Sequence, residues 1–157
     1  NSNFDQNGVE VYYHGDTNGF VYTHDVGHSF DGTNINAIYE TPDYDYGDFG
    51  TLKTLHYIKM SITPEGNVQP TLTVKFDFGN LDIPQPDSIL SDSVPAPSTF
   101  SNSVFGSAIF GAAEQPLVRE SLVGSGHSNN FRFSSNDSNA PYIVNGFYVD
   151  YIPSGRR

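Results

Sequence analysis

The sequence contains no cysteine and no tryptophan, and its basic residues are few. Only 7 Lys and Arg stand against 18 Asp and Glu among 157 residues, which gives a formal net charge of −11. The lack of cysteine excludes disulfides and thiolate metal sites, although it does not identify a compartment. Tight nucleic-acid binding is not expected, because it requires clustered positive charge to displace counterions. The one basic cluster is the terminal pair, Arg156 and Arg157.

Long apolar runs and helical periodicity are also missing. No run of about 18 apolar residues occurs, so the sequence predicts no membrane-spanning helix. The chain begins at Asn1 without a signal-like apolar segment, so we expect either a processed protein or a piece of a longer one. Short apolar runs between turns, with 12 Phe, 10 Tyr, 15 Gly and 10 Pro, predict a single all-β domain over residues 1–157.

Residues 51–63 have the longest strand pattern in the chain, and we expect them to form the centre of a sheet. Period-two alternation predicts one face with Leu52, His56, Ile58, Met60 and Ile62, and an opposite face with Leu55, Tyr57, Lys59 and Ser61. A turn at residues 64–67 leads into residues 69–78, whose inward side chains are predicted to be Leu72, Val74, Phe76 and Phe78. We expect these two strands to pair as an antiparallel hairpin.

About nine strands are predicted in total. An N-terminal hairpin joins residues 9–14 and 20–24 through a Gly-containing turn. The other predicted strands are 35–40, 51–63, 69–78, 103–112, 115–123, 128–134 and 142–152, of which 103–112 alternatively forms a short helical turn. This spacing predicts an antiparallel β-sandwich, jelly-roll-like, preceded by the hairpin in residues 1–34.

Residues 79–103 interrupt the strand pattern with a Pro- and Ser-rich stretch. Four prolines in this stretch disfavour regular pairing, so we expect a long surface loop. Because loops of this length are often functional, a contact arm is the alternative.

An acidic, aromatic loop occupies residues 41–50. Its carboxylates, Asp43, Asp45 and Asp48, are candidate calcium ligands, but their spacing departs from the EF-hand pattern. The alternative is a solvated turn in which the Asp side chains accept hydrogen bonds from backbone N–H groups.

Three aromatic residues in the same loop, Tyr44, Tyr46 and Phe49, are candidate interaction residues, together with Arg156 and Arg157. Loop aromatics can stack on sugars or pack against a neighbouring subunit. They can equally fold back as a small core beneath the loop.

Motifs for catalysis or cofactor binding are not found. Gly124-Ser125-Gly126 is only superficially similar to a serine-hydrolase elbow, and no phosphate-binding Gly loop occurs. Around the first hairpin, His14, Asp16, His24 and His28 are better explained as surface or structural residues than as metal ligands. The sequence therefore predicts a non-enzymatic protein without a cofactor.

Two stretches resemble the tail and neck proteins of short-tailed bacteriophages. They are residues 14–53, HGDTNGFVYTHDVGHSFDGTNINAIYETPDYDYGDFGTLK, and residues 131–157, FRFSSNDSNAPYIVNGFYVDYIPSGRR. The resembling group includes hub or packaged-DNA-stabilisation proteins and tubular nozzle proteins. The resemblance implies a virion protein, assembled in the host cytoplasm, that forms homo-oligomeric rings on a portal or adaptor. It also implies that residues 1–34 are the remnant of a propeller blade.

The acidic charge is compatible with a ring through which DNA slides without adhering. The alternative is a carbohydrate-binding β-sandwich module of an adhesin or receptor-binding protein. A ring subunit should expose apolar or complementary patches to its own copies. A sugar-binding module should instead be monomeric, with two or three exposed rings along a shallow groove.

Overall fold

A computed structural model describes residues 2–24, 26–30, 32–94 and 117–156 of the chain. In chain order the described strands are β1 (Ser2–Phe4), β2 (Glu10–Gly15), β3 (Val21–Thr23), β4 (Ser29–Phe30), β5 (Thr33–Glu40), β6 (Thr51–Pro64), β7 (Thr71–Phe76), β8 (Ile89–Leu90), β9 (Leu117–Ser121), β10 (Ser125–Gly126), β11 (Asn129–Asp137) and β12 (Tyr142–Arg156). A short 3-10 turn, Asp77–Gly79, follows β7. No helix in this part of the chain has the length and hydrophobicity that a membrane span needs.

The strands form three sheets, and every strand pair is antiparallel. The first sheet has the order β1-β2-β3, so the predicted N-terminal hairpin is confirmed and gains a third strand. In the second sheet β6 is central, with β12 along one edge and β9 and β10 along the other. The third sheet has the order β4-β5-β11-β7-β8. The predicted all-β fold with antiparallel sheets is therefore confirmed.

The core lies between the second and third sheets. Its side chains come mainly from β6 on one side and from β7 and β11 on the other. The buried apolar residues include Leu55, Ile58, Met60, Ile62, Leu72, Val74, Phe76, Phe131 and Phe133. Two sheets that cover one apolar core form a β-sandwich.

The predicted hairpin between residues 51–63 and 69–78 is wrong. Both edges of β6 are occupied by strands from the C-terminal part of the chain, and β7 pairs with β11 and β8 instead. The turn after β6 therefore carries the chain from one sheet to the other. Alternation of apolar residues identifies the buried face of a strand, but not the strand that pairs with it.

The predicted faces of β6 are also wrong at its start. Asp150 of β12 pairs with Tyr57, and the next residue, Tyr151, pairs with Leu55, which leaves His56 in a β-bulge. A bulge places two residues opposite one and reverses the alternation. Leu55 is consequently buried and His56 is exposed, the reverse of the expected arrangement.

Phe78 does not face the core as predicted. Its side chain is 71% exposed, because β7 ends at Phe76 and the chain then turns. Asp77 and Phe78 both have positive φ, 48° and 60°, which is unusual for residues with side chains.

Part of the predicted Pro- and Ser-rich loop is regular. Ile89 and Leu90 form β8 and pair with Leu72 and Thr71 at the edge of the third sheet. These residues lie in the longest proline-free interval of the stretch, between Pro86 and Pro95. The rest of that stretch, from residue 95, and the predicted strand at residues 103–112 lie outside the described residues.

Candidate interaction surfaces

The acidic loop between β5 and β6 is closed by hydrogen bonds to its own backbone. Asp45 Oδ1 accepts from Gly47 N at 2.9 Å, and Asp48 Oδ1 accepts from Gly50 N at 3.0 Å. Lys53, which is buried, donates from Nζ to the carbonyl oxygens of Asp48 and of His127, which lies between β10 and β11. Backbone N–H groups therefore bind the carboxylates of Asp45 and Asp48, and the Lys53 ammonium group binds the carbonyl oxygen of Asp48.

Asp43 is directed away from the other two carboxylates. Its oxygens lie 3.4 Å from Asn130 Nδ2 and 3.3 Å from the backbone N of Phe78. The described residues contain no group of three or more His, Asp or Glu side chains arranged to hold a metal ion. His14 and His24 do meet across the first hairpin, with ring centroids 4.7 Å apart.

The three loop aromatics separate into two groups. Tyr46 packs inward, with its ring 4.4 Å from that of Tyr151, and Tyr44 contacts Phe147 edge-on at 6.3 Å. Tyr46 therefore forms the small core beneath the loop that was one of the expected alternatives, whereas Tyr44 is 38% exposed. Phe49 is 53% exposed and remains available for an interaction.

Burial raises the pKa of the Tyr46 hydroxyl, because the phenolate would lose hydration. The Asn129 side chain acts in the opposite direction and lowers this pKa, but burial is the larger effect. Within the described residues neither Tyr46 Oη nor Asn129 Nδ2 meets a hydrogen-bond partner at standard distance.

An exposed aromatic corner forms where the acidic loop meets the turn after β7. Phe49 lies 6.3 Å from Phe78 and 6.1 Å from the ring of His127. The positive-φ turn is held by Asp77, whose Oδ1 accepts from the backbone N of His127 at 2.7 Å and of Ser128 at 2.9 Å. Left-handed backbone costs about 1–2 kcal/mol per residue, so these bonds offset strain that presents Phe78 to solvent.

Within the described residues, no other element covers a face of the first sheet. None of the residues in β1, β2 or β3 is buried, and Phe4 and Val21 are 69% and 73% exposed. Other large exposed side chains in or beside this sheet are Val9, Tyr12 and Phe20. A sheet of this size requires a partner against its apolar side chains for stability.

An apolar groove opens between the second and third sheets at one end of the sandwich. Its volume is about 530 Å³, and its lining includes Ile35, Ala37, Tyr39, Phe133, Tyr142 and Val144. The ring of Tyr39 stacks on the buried ring of Phe133 at 6.2 Å, so Tyr39 faces inward. Nevertheless Tyr39 is 57% exposed, because the groove is open to solvent at this point.

A basic and aromatic cluster lies on the outer face of the second sheet. The guanidinium of Arg119 is 4.4 Å from the centroid of Tyr57, and Lys59 Nζ is 5.6 Å from the same ring. Tyr148 adds a second exposed ring 6.4 Å away. The positive charge here contrasts with the acidity of the whole chain.

The remaining predicted interaction residues lie at the C-terminus. Arg156 is the last residue of β12, opposite Thr51 of β6. Arg157 lies outside the described residues. Sequence reasoning missed the groove, because it depends on which strand lies beside which. It placed Phe78 in the core, because the alternation gave no sign that β7 ends at Phe76.

Comparison with models of protein families, with curated proteins and with solved structures finds no match for this chain. Its function must therefore be argued from the surfaces described above. Three of them are apolar: the first sheet, the groove and the aromatic corner.

Proposed function

We propose that the chain is a structural domain of a short-tailed bacteriophage tail or head–tail connector, and that it forms a homo-oligomeric ring around the DNA path. The observation that carries the proposal is the first sheet, whose apolar side chains are exposed on strands without a core. Exposed apolar patches of this extent are typical of surfaces that become covered in an assembly. A portal or adaptor protein is the expected neighbour of the ring.

The charge of the chain supports the same proposal. At −11 the subunit repels the phosphate backbone, and a ring of several copies multiplies this repulsion. DNA can pass through such a lumen without the counterion release that produces tight binding.

Assembly is tested by multi-angle light scattering over a concentration series, with negative-stain images of the same fractions. We expect rings or ring fragments, and we expect Val21→Asp to shift the population toward monomers. Val123→Asp is the matched control, because Val123 lies outside the first sheet and is 75% exposed, close to the 73% of Val21. A strict monomer at every concentration, also with portal protein present, contradicts the proposal.

A carbohydrate-binding module is the second candidate, favoured by one observation. Tyr57 and Tyr148 present two rings beside Arg119 and the His56–Asp150 pair, whose Nδ1 and Oδ1 are 3.6 Å apart. Aromatic rings next to polar side chains form a common surface for stacking on sugars. A glycan array tests this candidate: binding by the wild type that Tyr148→Ala abolishes, and that Tyr12→Ala leaves unchanged, supports it.

A further inference from the structure

The outer face of the second sheet brings two positive charges together. Lys59 of β6 lies directly opposite Arg119 of β9 in the strand register. Side chains in such a pair point to the same face, and like charges in these positions repel each other. The Tyr57 centroid is 4.4 Å from the Arg119 guanidinium and 5.6 Å from Lys59 Nζ, so both charges also lie beside one ring. Attraction to the ring offsets part of the repulsion.

Neither of these cations is neutralised within the described residues. The ion pairs in that part of the chain involve other side chains, and neither Lys59 nor Arg119 donates a side-chain hydrogen bond there. Lys53 and Lys75, by contrast, each donate to oxygen atoms of the protein. Two adjacent cations without an acceptor, in a chain with an excess of carboxylates, can bind an anionic group from outside.

An aromatic ring and a carboxylate lie on the other side of β6. Tyr148 of β12 is opposite Lys59, and it is 58% exposed. Because Arg119 lies over the ring of Tyr57, the ring of Tyr148 is the one available for stacking. Asp150, two residues further along β12, lies opposite Tyr57. The face therefore has its cations on β6 and β9, and a ring and a hydrogen-bond acceptor on β12.

We propose that this face binds an acidic sugar, that is, a pyranose unit bearing one carboxylate, sulfate or phosphate group. Lys59 and Arg119 bind the anionic group, for which the planar guanidinium supplies paired N–H donors. The apolar face of the sugar packs on Tyr148, and a sugar hydroxyl donates to Asp150. This inference rests on the carbohydrate-binding candidate and adds the charge of its ligand.

A single strand of nucleic acid could use the same types of side chain, but the arrangement favours a sugar. Successive bases require successive exposed rings, whereas Tyr148 is the one ring of this face available for stacking. Asp150 would repel a further phosphate, whereas it accepts hydrogen bonds from hydroxyl groups, which surround a sugar ring. The net charge of −11 also opposes binding of a long polyanion.

A glycan array tests the charge of the ligand. The array presents neutral glycans beside glycans with uronate, sialate, sulfate and phosphate groups, and single-stranded oligonucleotides are tested by fluorescence polarisation. We expect binding to be restricted to acidic glycans and to weaken at about 1 M salt, where charges are screened beyond about 3 Å. The carboxyl-reduced form of each uronate glycan is the matched control, because it retains the sugar ring and loses the charge.

Variants of the protein locate the site. Arg119→Gln and Lys59→Gln each remove one charge and should weaken binding at least tenfold, the loss expected for one charge-assisted hydrogen bond. Arg132→Gln removes a positive charge from β11 in the third sheet and should leave binding unchanged. Circular dichroism establishes whether each variant folds. If Arg119→Gln or Lys59→Gln does not fold, Ser121→Glu replaces it and adds a carboxylate at an exposed position opposite Tyr57.

The outcomes separate this inference from the proposed functions. Absence of binding to every glycan, neutral or acidic, overturns both the carbohydrate-binding candidate and the acidic sugar. Equal binding of neutral and acidic glycans, or equal binding by wild type and Arg119→Gln, overturns only the acidic sugar. Tighter binding of an oligonucleotide than of any glycan also overturns it. The ring is tested separately by the light-scattering series on the wild type, and none of these results decides it.

Discussion

Alanine at Gly124 should destabilise the sandwich strongly, because the ring of Phe76 lies against this position. A Cβ atom built at Gly124 would lie 2.4 Å from Phe76 Cε2 and 3.0 Å from Cζ. Favourable carbon contacts are about 3.5–4.0 Å, so the ring or the backbone would have to move by about 1 Å. The Phe76 side chain is fully buried, and a close-packed core offers no space for that movement.

The expected loss of unfolding free energy has two parts. Overpacking a core costs about 1–3 kcal/mol. Gly124 also has φ +123°, and a side chain there adds backbone strain of about 1–2 kcal/mol. Reduced entropy of the unfolded chain returns about 0.4–1 kcal/mol. The net loss should be about 3 kcal/mol, which is a large part of the stability of a domain of this size.

A second glycine and a second substitution separate the two parts. Gly47 has φ +81° and nothing within 4 Å of the added atom, so Gly47→Ala should show the strain alone. Phe76→Leu removes Cε2 and Cζ, so in that background Gly124→Ala should cost about 1–2 kcal/mol less. Urea denaturation followed by circular dichroism measures each variant, with an unchanged slope as the sign of a comparable unfolded state.

Two results would refute this reasoning. The first is a cost at Gly124 no larger than that at Gly47. The second is the same cost of Gly124→Ala in the wild-type and Phe76→Leu backgrounds, because additivity would mean that the side chain of Phe76 does not restrict position 124.

Three further predictions concern charge and polar burial. The Glu40 pKa is lowered, chiefly by the hydrogen bond from Lys75, so the ionised carboxylate stabilises the fold above pH 4.5 and this stabilisation is lost as pH falls further. In acid titrations the unfolding free energies of Glu40→Gln and wild type should therefore converge below that pH. Because burial raises the Tyr46 pKa, wild type should lose stability as pH rises above 10, and Tyr46→Phe should lose less in the same alkaline titration. Asp77→Ala leaves two backbone N–H groups without their acceptor and should cost about 2–3 kcal/mol in urea denaturation, whereas Asp82→Ala should change stability by less than about 0.5 kcal/mol.

Local patterns in the sequence were sufficient for the class of fold and for several elements. Leu72, Val74 and Phe76 face the core as their alternation predicts. The N-terminal turn forms around Asp16, which accepts from the backbone N of Asn18 and Phe20, and Gly19 takes the positive φ that its residue type favours. These features depend on residues close together in the chain, so a single sequence contains the information for them.

The candidate surfaces were only partly predictable. The acidic loop was located from its composition, but its residues gave no indication that Tyr46 would pack under Tyr151 while Phe49 remained exposed. That outcome depends on the position of β12, about one hundred residues further along the chain.

Composition and periodicity by themselves determined that the chain is all-β, acidic and built from short antiparallel strands. Only the tertiary structure decided that β6 and β7 lie in opposite sheets, that His56 forms a bulge, and that an apolar groove lies between the two sheets of the sandwich. The physical reason is that strands pair through backbone groups common to all residues, so the choice of neighbour is made by the packing of the whole chain.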